Sequence, residues 1–365
     1  MRYDRENRIT GKPAVKYFSL DRALRYESVS SRESRWHQAV VFKALLMVLS
    51  LLSLSSLNAD FYREINLLGG YSSREHFIDN SSTLKNSLGF EYFRKLTQQQ
   101  GDYLTIDIQM RLLYDQEDKD HYSMQIHNLW AEYKPGLGRK LRIGHFQPVF
   151  GLENQTDSHG TILQTSAMMN IGLKHDWGIA YSRIAGRYDI AIAAQSGLGM
   201  GFPEWDNNFL FTGRIGRDYS DDLTAGISLM AGEVAVTDRM QLIPAPHVLR
   251  SIKKSRLGID IQYSWSAFHY AGEAAYGKND AEQVLFIFNQ IDYKPFGLEG
   301  WEFNLQNHYS MLNAADWGKF NTLLGAGVSY AVSETVKLKS AALITLDQGE
   351  ILDKQIFLQL YYFGR

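Results

Sequence analysis

Apolar and polar side chains alternate in many short segments along the chain. From Leu104 to Leu112, every second residue is apolar and the residues between them are polar or charged. A period of two places the apolar side chains on one face of a β-strand and the polar side chains on the other. Repeated in strand after strand, this pattern predicts an all-β protein, a transmembrane antiparallel up-and-down β-barrel with lipid outside and water inside.

The alternating segments number about 16, and most are roughly ten residues long, which is the length of a tilted barrel strand. The register of the last segment stays open, because both of its faces are apolar. We predict strands at 61–71, 84–96, 103–114, 122–133, 140–147, 177–185, 187–196, 209–217, 222–232, 254–265, 267–277, 283–293, 301–312, 320–332, 335–345 and 354–363.

The connections between these strands alternate between short and long. Because the short turns of bacterial barrels face the periplasm, we expect the longer, odd-numbered connections to face outward. The third of them, 148–176, is the longest, and its middle contains apolar residues such as Ile162 and Leu163 that water does not favour. We predict that this loop folds into the barrel lumen. The alternative is a surface loop that covers a neighbouring subunit.

An export signal precedes the predicted barrel. Lys43 is followed by an apolar run that ends in small and polar residues before Asp60, as in a secretory signal peptide. We therefore divide the chain into a non-native or disordered upstream extension (1–39), a signal peptide (40–59) and an outer-membrane barrel (60–365).

Composition narrows the function further. The chain has no cysteine, which excludes disulfides, thiol catalysis and cysteine-based zinc sites. Aromatic residues make up 13% of the chain, in agreement with the aromatic belts of a membrane barrel. Residues 1–59 hold 10 of the 38 basic and 5 of the 40 acidic residues, so residues 60–365 have a net charge of −7. This acidic balance argues against a nucleic-acid partner.

The segment 141–153, LRIGHFQPVFGLE, resembles a stretch of the phosphate-selective porin family, types O and P. That family has the form V-R-x-G-x-F-x-x-P-F-G-x-E, whereas Pro148 lies one place early here. The resemblance implies a sixteen-stranded trimeric porin whose third loop constricts the pore. It does not carry phosphate selectivity over, because Lys174 is the only Lys or Arg in the third loop. The matching residues are Arg142, Gly144, Phe146, Phe150, Gly151 and Glu153.

We therefore expect a passive diffusion porin in a bacterial outer membrane, in contact with lipid and lipopolysaccharide and assembled as a homotrimer. Its partners would be small hydrophilic solutes or ions, and we predict no enzymatic activity, metal or cofactor. Charged strand residues should face the lumen, since lipid penalises charge. The predicted pore-lining residues are Asp107, Arg111, Arg142, Arg183, Arg187, Asp260 and Glu273, and those of the constriction loop are Phe150, Glu153, Asp157 and Lys174.

Two other functions stay open. A barrel enzyme, such as a lipid hydrolase, would need a serine and a histidine on the outer wall at the membrane edge. A non-conducting structural or adhesion barrel would need a filled lumen. The glycine-rich run 197–201 lacks the spacing of a phosphate-binding loop and predicts an extracellular loop, and His121 and His127 lie too far apart along the chain for one tight metal site.

Overall fold

The computed structural model does not describe the upstream extension and signal peptide predicted for residues 1–59. Within the described ranges, no helix has the length and apolar character that crossing a membrane requires. The described residues are 60–80, 85–99, 101–115, 121–152, 162–163, 165–201, 207–237, 248–312 and 320–365.

Sixteen long strands close into one antiparallel barrel. Neighbours along the chain pair with each other, and the last strand pairs with the first from Arg63 with Gly364 to Ser72 with Gln355. A short extra strand, β2, pairs only with the end of β1. The strands are β1 (Asp60–Ser72), β2 (His76–Ile78), β3 (Asn86–Gln98), β4 (Gly101–Tyr114), β5 (Tyr122–Gly136), β6 (Arg139–Phe146), β7 (Asp176–Ala185), β8 (Tyr188–Gln195), β9 (Phe209–Asp218), β10 (Leu223–Thr237), β11 (Val248–Trp265), β12 (Phe268–Asn279), β13 (Glu282–Tyr293), β14 (Trp301–Met311), β15 (Asn321–Ala331), β16 (Val336–Asp347) and β17 (Glu350–Gly364).

The barrel is apolar outside and polar inside, which reverses the arrangement of a water-soluble protein. On β11, Ile259 is 58% exposed on the outer surface, whereas its neighbour Asp260 is 4% exposed on the inner side. The same alternation settles the register of β17, where Leu358 is 67% exposed and Phe357 is buried. An apolar outer wall of this kind is suited to lipid contact.

The predicted strand pattern is confirmed, with three differences. The short strand β2 was not predicted, because three residues are too few to show a period. The described parts of the predicted fifth outward loop, 233–237 and 248–253, are strand, since Val234 pairs with Ile252 and extends the β10–β11 hairpin. The third outward loop also contains a short helix, α1 (Ser166–Asn170).

Candidate functional site

The inner wall carries charged residues of both signs in hydrogen-bonded groups. Glu64 of β1 accepts two hydrogen bonds from Arg111 of β4, from Nε at 2.8 Å and from Nη2 at 2.7 Å. Gln109 donates to the same carboxylate at 3.1 Å, and the Tyr361 hydroxyl donates to it at 3.0 Å. Charge-assisted, two-pronged contacts of this kind fix both side chains in one geometry.

Two further pairs follow the same principle on other strands. Arg214 of β9 donates to Asp260 of β11 from Nε at 3.0 Å and from Nη2 at 2.6 Å. Arg142 of β6 donates to Glu132 of β5 from Nη2 at 2.7 Å, and its guanidinium lies 4.3 Å from the centre of the Trp130 ring. These pairs place both signs of charge on the inner wall.

The described parts of the segment between β6 and β7, here called loop 3 (147–175), lie against the inner wall of the barrel. Gly144 has a φ of +129°, and a side chain there would collide with the backbone of Leu129, so glycine is required just before loop 3 begins. The backbone N–H of Val149 then donates to Thr212 Oγ1 at 3.2 Å. The next residue, Phe150, is 1% exposed, and its ring packs against Gly258 of β11, where a side chain would displace it.

Glu273 of β12 is the main polar anchor of loop 3. Its carboxylate accepts hydrogen bonds from the Leu152 backbone N–H at 3.0 Å, from Ser166 Oγ at 2.9 Å and from Asn170 Nδ2 at 3.0 Å. Two stretches of loop 3 that are distant along the chain are therefore held by one side chain of the wall.

Loop 3 also reaches a second part of the wall. Ile162 and Leu163 belong to a buried apolar cluster with side chains from β1, β15, β16 and β17. Leu163 lies against Gly325 and Gly327 of β15, where a larger residue would meet its methyl groups. The prediction that loop 3 folds into the lumen is confirmed, and these glycines provide the space for it.

The end of α1 in loop 3 is held by two positively charged side chains of β11. Arg256 donates from Nε to Asn170 Oδ1 at 3.2 Å, and Lys254 donates from Nζ to the Ile171 carbonyl oxygen at 2.6 Å. Ile171 itself is fully buried with Phe150 in a second apolar cluster. Polar and apolar contacts therefore fix both ends of α1.

The glycine-rich run 197–201 takes part in this anchoring. The backbone N–H groups of Gly197 and Gly199 donate to the carboxylate of Asp176, at 2.7 and 3.1 Å. Both glycines have positive φ angles, which point their N–H groups toward the carboxylate. The extracellular loop predicted here thus binds an anionic side chain of the barrel itself, at the start of β7.

Histidines gather where loop 3 rejoins the wall. The ring centres of His127 and His175 are 4.3 Å apart, and those of His145 and His175 are 5.5 Å apart. Across the described part of the chain, no group of three or more His, Cys, Asp or Glu side chains is arranged to hold a metal ion. His127 Nδ1 lies 3.3 Å from Arg111 Nη1, and His145 Nδ1 lies 3.1 Å from the His127 carbonyl oxygen, so this group is connected to the charged residues of the inner wall.

The predicted site residues fall into four groups. Asp107, Arg111, Arg142, Asp260 and Glu273 lie on the inner side, although Glu273 is occupied by loop 3. Phe150 and Lys174 are buried within loop 3, while Glu153 and Asp157 lie outside the described residues.

The remaining two predicted residues do not lie on the inner wall. Arg183 shares its face of β7 with the outward residues Ile179 and Tyr181. Arg187 sits in the β7–β8 turn, where it donates to the Tyr219 carbonyl oxygen at 3.2 Å. Position at a strand end explains both cases, because charge there meets water or lipid headgroups rather than the hydrocarbon core.

Sequence reasoning missed Glu64, Glu132 and Arg256. The first two neutralise Arg111 and Arg142 across the sheet, and the third holds α1. A search for opposite charges on the polar faces of nearby strands would have found the acidic partners. No such rule finds Arg256, since its partner Asn170 is an uncharged loop residue.

Comparisons with known proteins support the fold. No family model matches the chain, and no curated protein matches it by sequence. The trimer form of OmpT, an outer membrane protein of Vibrio cholerae, is similar in structure to this chain, with a TM-score of 0.58 at 14% sequence identity. The match covers 84% of this chain and 98% of that one. The anion-selective porin of Comamonas acidovorans has a TM-score of 0.57 to this chain at 12% sequence identity, and the match covers 84% of this chain and 98% of that one.

OprB of Pseudomonas putida is similar to the same extent, with a TM-score of 0.57 at 8% identity, covering 84% of this chain and 94% of that one. Identities this low establish a shared architecture and nothing about the solute. The chain has the fold of a porin-type β-barrel of the Gram-negative outer membrane.

Proposed function

We propose that the protein is a passive diffusion porin that forms a water-filled channel for small hydrophilic solutes or ions. The observation that carries this proposal is a closed barrel of sixteen long strands with charged residues on its inner wall and its longest outward loop anchored inside. Barrels of about 16 strands leave an aqueous channel, and an inward loop narrows such a channel without changing the wall.

We propose that the channel is only weakly ion-selective. Along the described wall, Arg111, Arg142 and Arg214 each contact a carboxylate, so their fields largely cancel. An anion filter needs several basic groups that are free to meet the ion at the narrowest point. Lys174 is the only Lys or Arg in loop 3, which supports a weakly selective or organic-solute porin. Membership of the phosphate-selective types O and P is a proposal that rests on the segment 141–153.

We also propose assembly as a homotrimer in contact with outer-membrane lipid and lipopolysaccharide. One structure similar to this chain is described as a trimer form. The apolar outer wall supplies area for both lipid and neighbouring copies.

Liposome swelling tests the channel directly. Purified protein is reconstituted into liposomes, which are diluted into isotonic solutions of sugars of increasing size. We expect rapid swelling with the smallest sugar and progressively slower swelling with larger ones. Liposomes that contain folded, heat-modifiable barrel and do not swell with any sugar would contradict the proposal.

One serine–histidine contact among the described residues bears on the enzyme alternative. Ser264 Oγ lies 3.0 Å from His269 Nδ1 at the β11–β12 turn. Ser264 alternates with the outward residues Tyr263 and Trp265, so it faces the inner side rather than the lipid edge that a lipid hydrolase requires. Phospholipid hydrolysis by the wild type that disappears in Ser264→Ala would establish the enzyme alternative, whereas equal background rates would leave the porin proposal standing.

A further inference from the structure

A cavity of about 590 Å³ lies in the barrel lumen, between loop 3 and the end of the barrel that carries the turn 294–300. Strand β13 forms one side of it with Asp292, and β16 forms another side with Lys337 and Lys339. Its volume is in the range of sites that hold small molecules. The cavity is therefore large enough to hold a solute during passage.

Asp292 and Lys337 both face the lumen. Phe288, four residues before Asp292 on the same face of β13, is 9% exposed. On β16, Leu338 is 48% exposed on the outer surface, so its neighbour Lys337 points to the opposite face. The two charges lie on strands three positions apart, which is about 14 Å around the wall at the usual strand spacing. They are too distant to neutralise each other directly.

The hydrogen bonds of Asp292 leave one oxygen of its carboxylate open. Gln290 Nε2 donates to Asp292 Oδ1 at 2.8 Å, and Asn304 Nδ2 donates to the same oxygen at 2.6 Å. Within the described ranges, no donor reaches Asp292 Oδ2, and no Lys or Arg pairs with this carboxylate. By contrast, Asp260 has the cationic partner Arg214. Asp292 therefore differs from the paired acids of the wall.

Lys337 is the complementary case. Its side chain is exposed, and no hydrogen bond or ion pair joins it to any residue in the part of the chain that the structure describes. Strand β15, which runs between the two charges, has small inward residues here, Gly327, Ser329 and Ala331. These leave the space between the charges open. The carboxylate of Asp292 and the ammonium of Lys337 therefore border one open cavity.

The charges that line the cavity balance. Three of the lining side chains are acidic and three are basic: Asp292, Glu299 and Glu302, and Lys294, Lys337 and Lys339. Lys294 and Glu302 lie 3.6 Å apart as an ion pair. A solute with a single charge would meet one side of the cavity and be repelled by the other. A solute with no net charge but with a separate ammonium and carboxylate would meet both sides.

Loop 3 adds an apolar side to the cavity. Leu152, Ile162 and Leu163 line it together with Phe288 of β13. Apolar side chains of a solute are stabilised by contact with such a surface, because they leave water. The cavity therefore favours a solute that is charged at both ends and apolar between them.

We propose that this cavity binds short peptides with apolar side chains on their way through the barrel. Asp292 accepts hydrogen bonds from the terminal ammonium, Lys337 donates to the terminal carboxylate, and loop 3 contacts the side chains between them. An extended tripeptide spans about 10 Å, and the flexible stem of Lys337 covers the remaining distance. This role rests on the proposed channel function and names the class of solute. The residues here called the zwitterion site are Asp292, Lys337, Leu152, Ile162, Leu163 and Phe288.

Ligand-observed NMR on the purified, folded protein in detergent micelles measures this binding without requiring conductance. The probes are trialanine, N-acetyl-trialanine, which lacks the ammonium, and trialanine amide, which lacks the carboxylate. We expect trialanine to bind at least about fivefold more tightly than either blocked peptide, because each of those loses one charge pair. Equal Kd values for the three peptides, or no binding of trialanine beyond that of empty micelles, would overturn the proposal.

Two substitutions test the assigned residues. Asp292→Asn should weaken trialanine binding about fivefold but leave N-acetyl-trialanine unchanged, because that peptide has no ammonium. Lys337→Gln should weaken trialanine equally but leave trialanine amide unchanged. The matched control is Asp218→Asn at the end of β9, which should bind trialanine as the wild type does. Equal weakening of all three peptides by Asp292→Asn, or the same loss in Asp218→Asn, would contradict the proposal.

Sugar permeation separates a failure of the zwitterion site from a failure of the channel. Liposomes that contain the wild type are assayed for swelling with a small neutral sugar, which has no charge for Asp292 or Lys337 to bind. Swelling with the sugar but no binding of trialanine would overturn the zwitterion site and leave the porin proposal standing. Binding of trialanine without any swelling would support the site and contradict the channel.

Discussion

The anchoring of loop 3 by Glu273 leads to a quantitative prediction. Substituting Glu273→Gln keeps the size of the side chain but replaces one acceptor oxygen by an NH₂ group. In the wild type, the carboxylate accepts hydrogen bonds from Leu152 and Ser166 at Oε2 and from Asn170 at Oε1. Glutamine has a single acceptor oxygen, so one or two of the three contacts become donor facing donor.

The magnitude follows from those lost contacts. A hydrogen bond to a charged group contributes about 1.5–3 kcal/mol, so losing one or two of them weakens the anchor by about 1.5–6 kcal/mol. At about 1.4 kcal/mol for each tenfold change, the population of the released loop rises at least about 10-fold. The loop stays docked most of the time, because Arg256 still binds Asn170 and Phe150 stays packed.

Amide hydrogen exchange of the folded protein measures that population directly. Peptides from loop 3 should exchange at least about 10-fold faster in Glu273→Gln than in the wild type, if exchange follows opening. The control is Asp292→Asn, which also replaces an inward carboxylate but contacts Gln290 and Asn304 of the wall rather than loop 3. If Glu273→Gln exchanges no faster in loop 3 than Asp292→Asn, the anchoring argument is wrong.

Three further substitutions test other parts of the structure. Leu163→Asp places a charge in the apolar cluster against Gly325, which should release loop 3 from the wall, so limited proteolysis should cut the loop faster than in the wild type. An unchanged rate of cutting would mean that the cluster does not hold the loop. Ile259→Arg places a charge on the lipid face and should lower the free energy of unfolding from a bilayer by about 2–4 kcal/mol, whereas no loss in urea titration would contradict the assigned face. Asp260→Asn weakens the two-pronged contact with Arg214, which keeps Asp189 at 3.5 Å as a second carboxylate, and should cost about 1.5–3 kcal/mol, seen as a lower temperature of heat modification. An unchanged temperature would show that the pair does not stabilise the barrel.

Strand positions were predictable from the sequence because the membrane imposes a strict period. The alternation around Ile259 and Asp260 places one residue in lipid and the next on the inner wall, and a shift by one residue would put the charge in lipid. The same rule failed at the strand ends. There Arg183 and Arg187 meet the interface, where charge costs little, so their charge does not indicate the lumen side.

The contacts of loop 3 were less predictable. Its apolar residues Ile162 and Leu163 indicated an inward fold, which the structure shows. The wall residues that receive it could not be identified, because Glu273 is more than a hundred positions from both Leu152 and Asn170 along the chain. Such a pairing depends on barrel geometry rather than on any local pattern. Glu273 was predicted as a pore-lining residue, and the structure shows that it lies on the inner side but is occupied as the anchor of loop 3.

Single-channel recording tests the porin proposal most directly. The purified barrel is inserted into a planar bilayer under a KCl gradient, and its heat-modifiable band is checked beforehand to establish that it is folded. We expect discrete conductance steps and a reversal potential close to zero, since Arg111, Arg142 and Arg214 of the wall are paired with carboxylates. A folded barrel that inserts and shows no conductance would contradict the porin function.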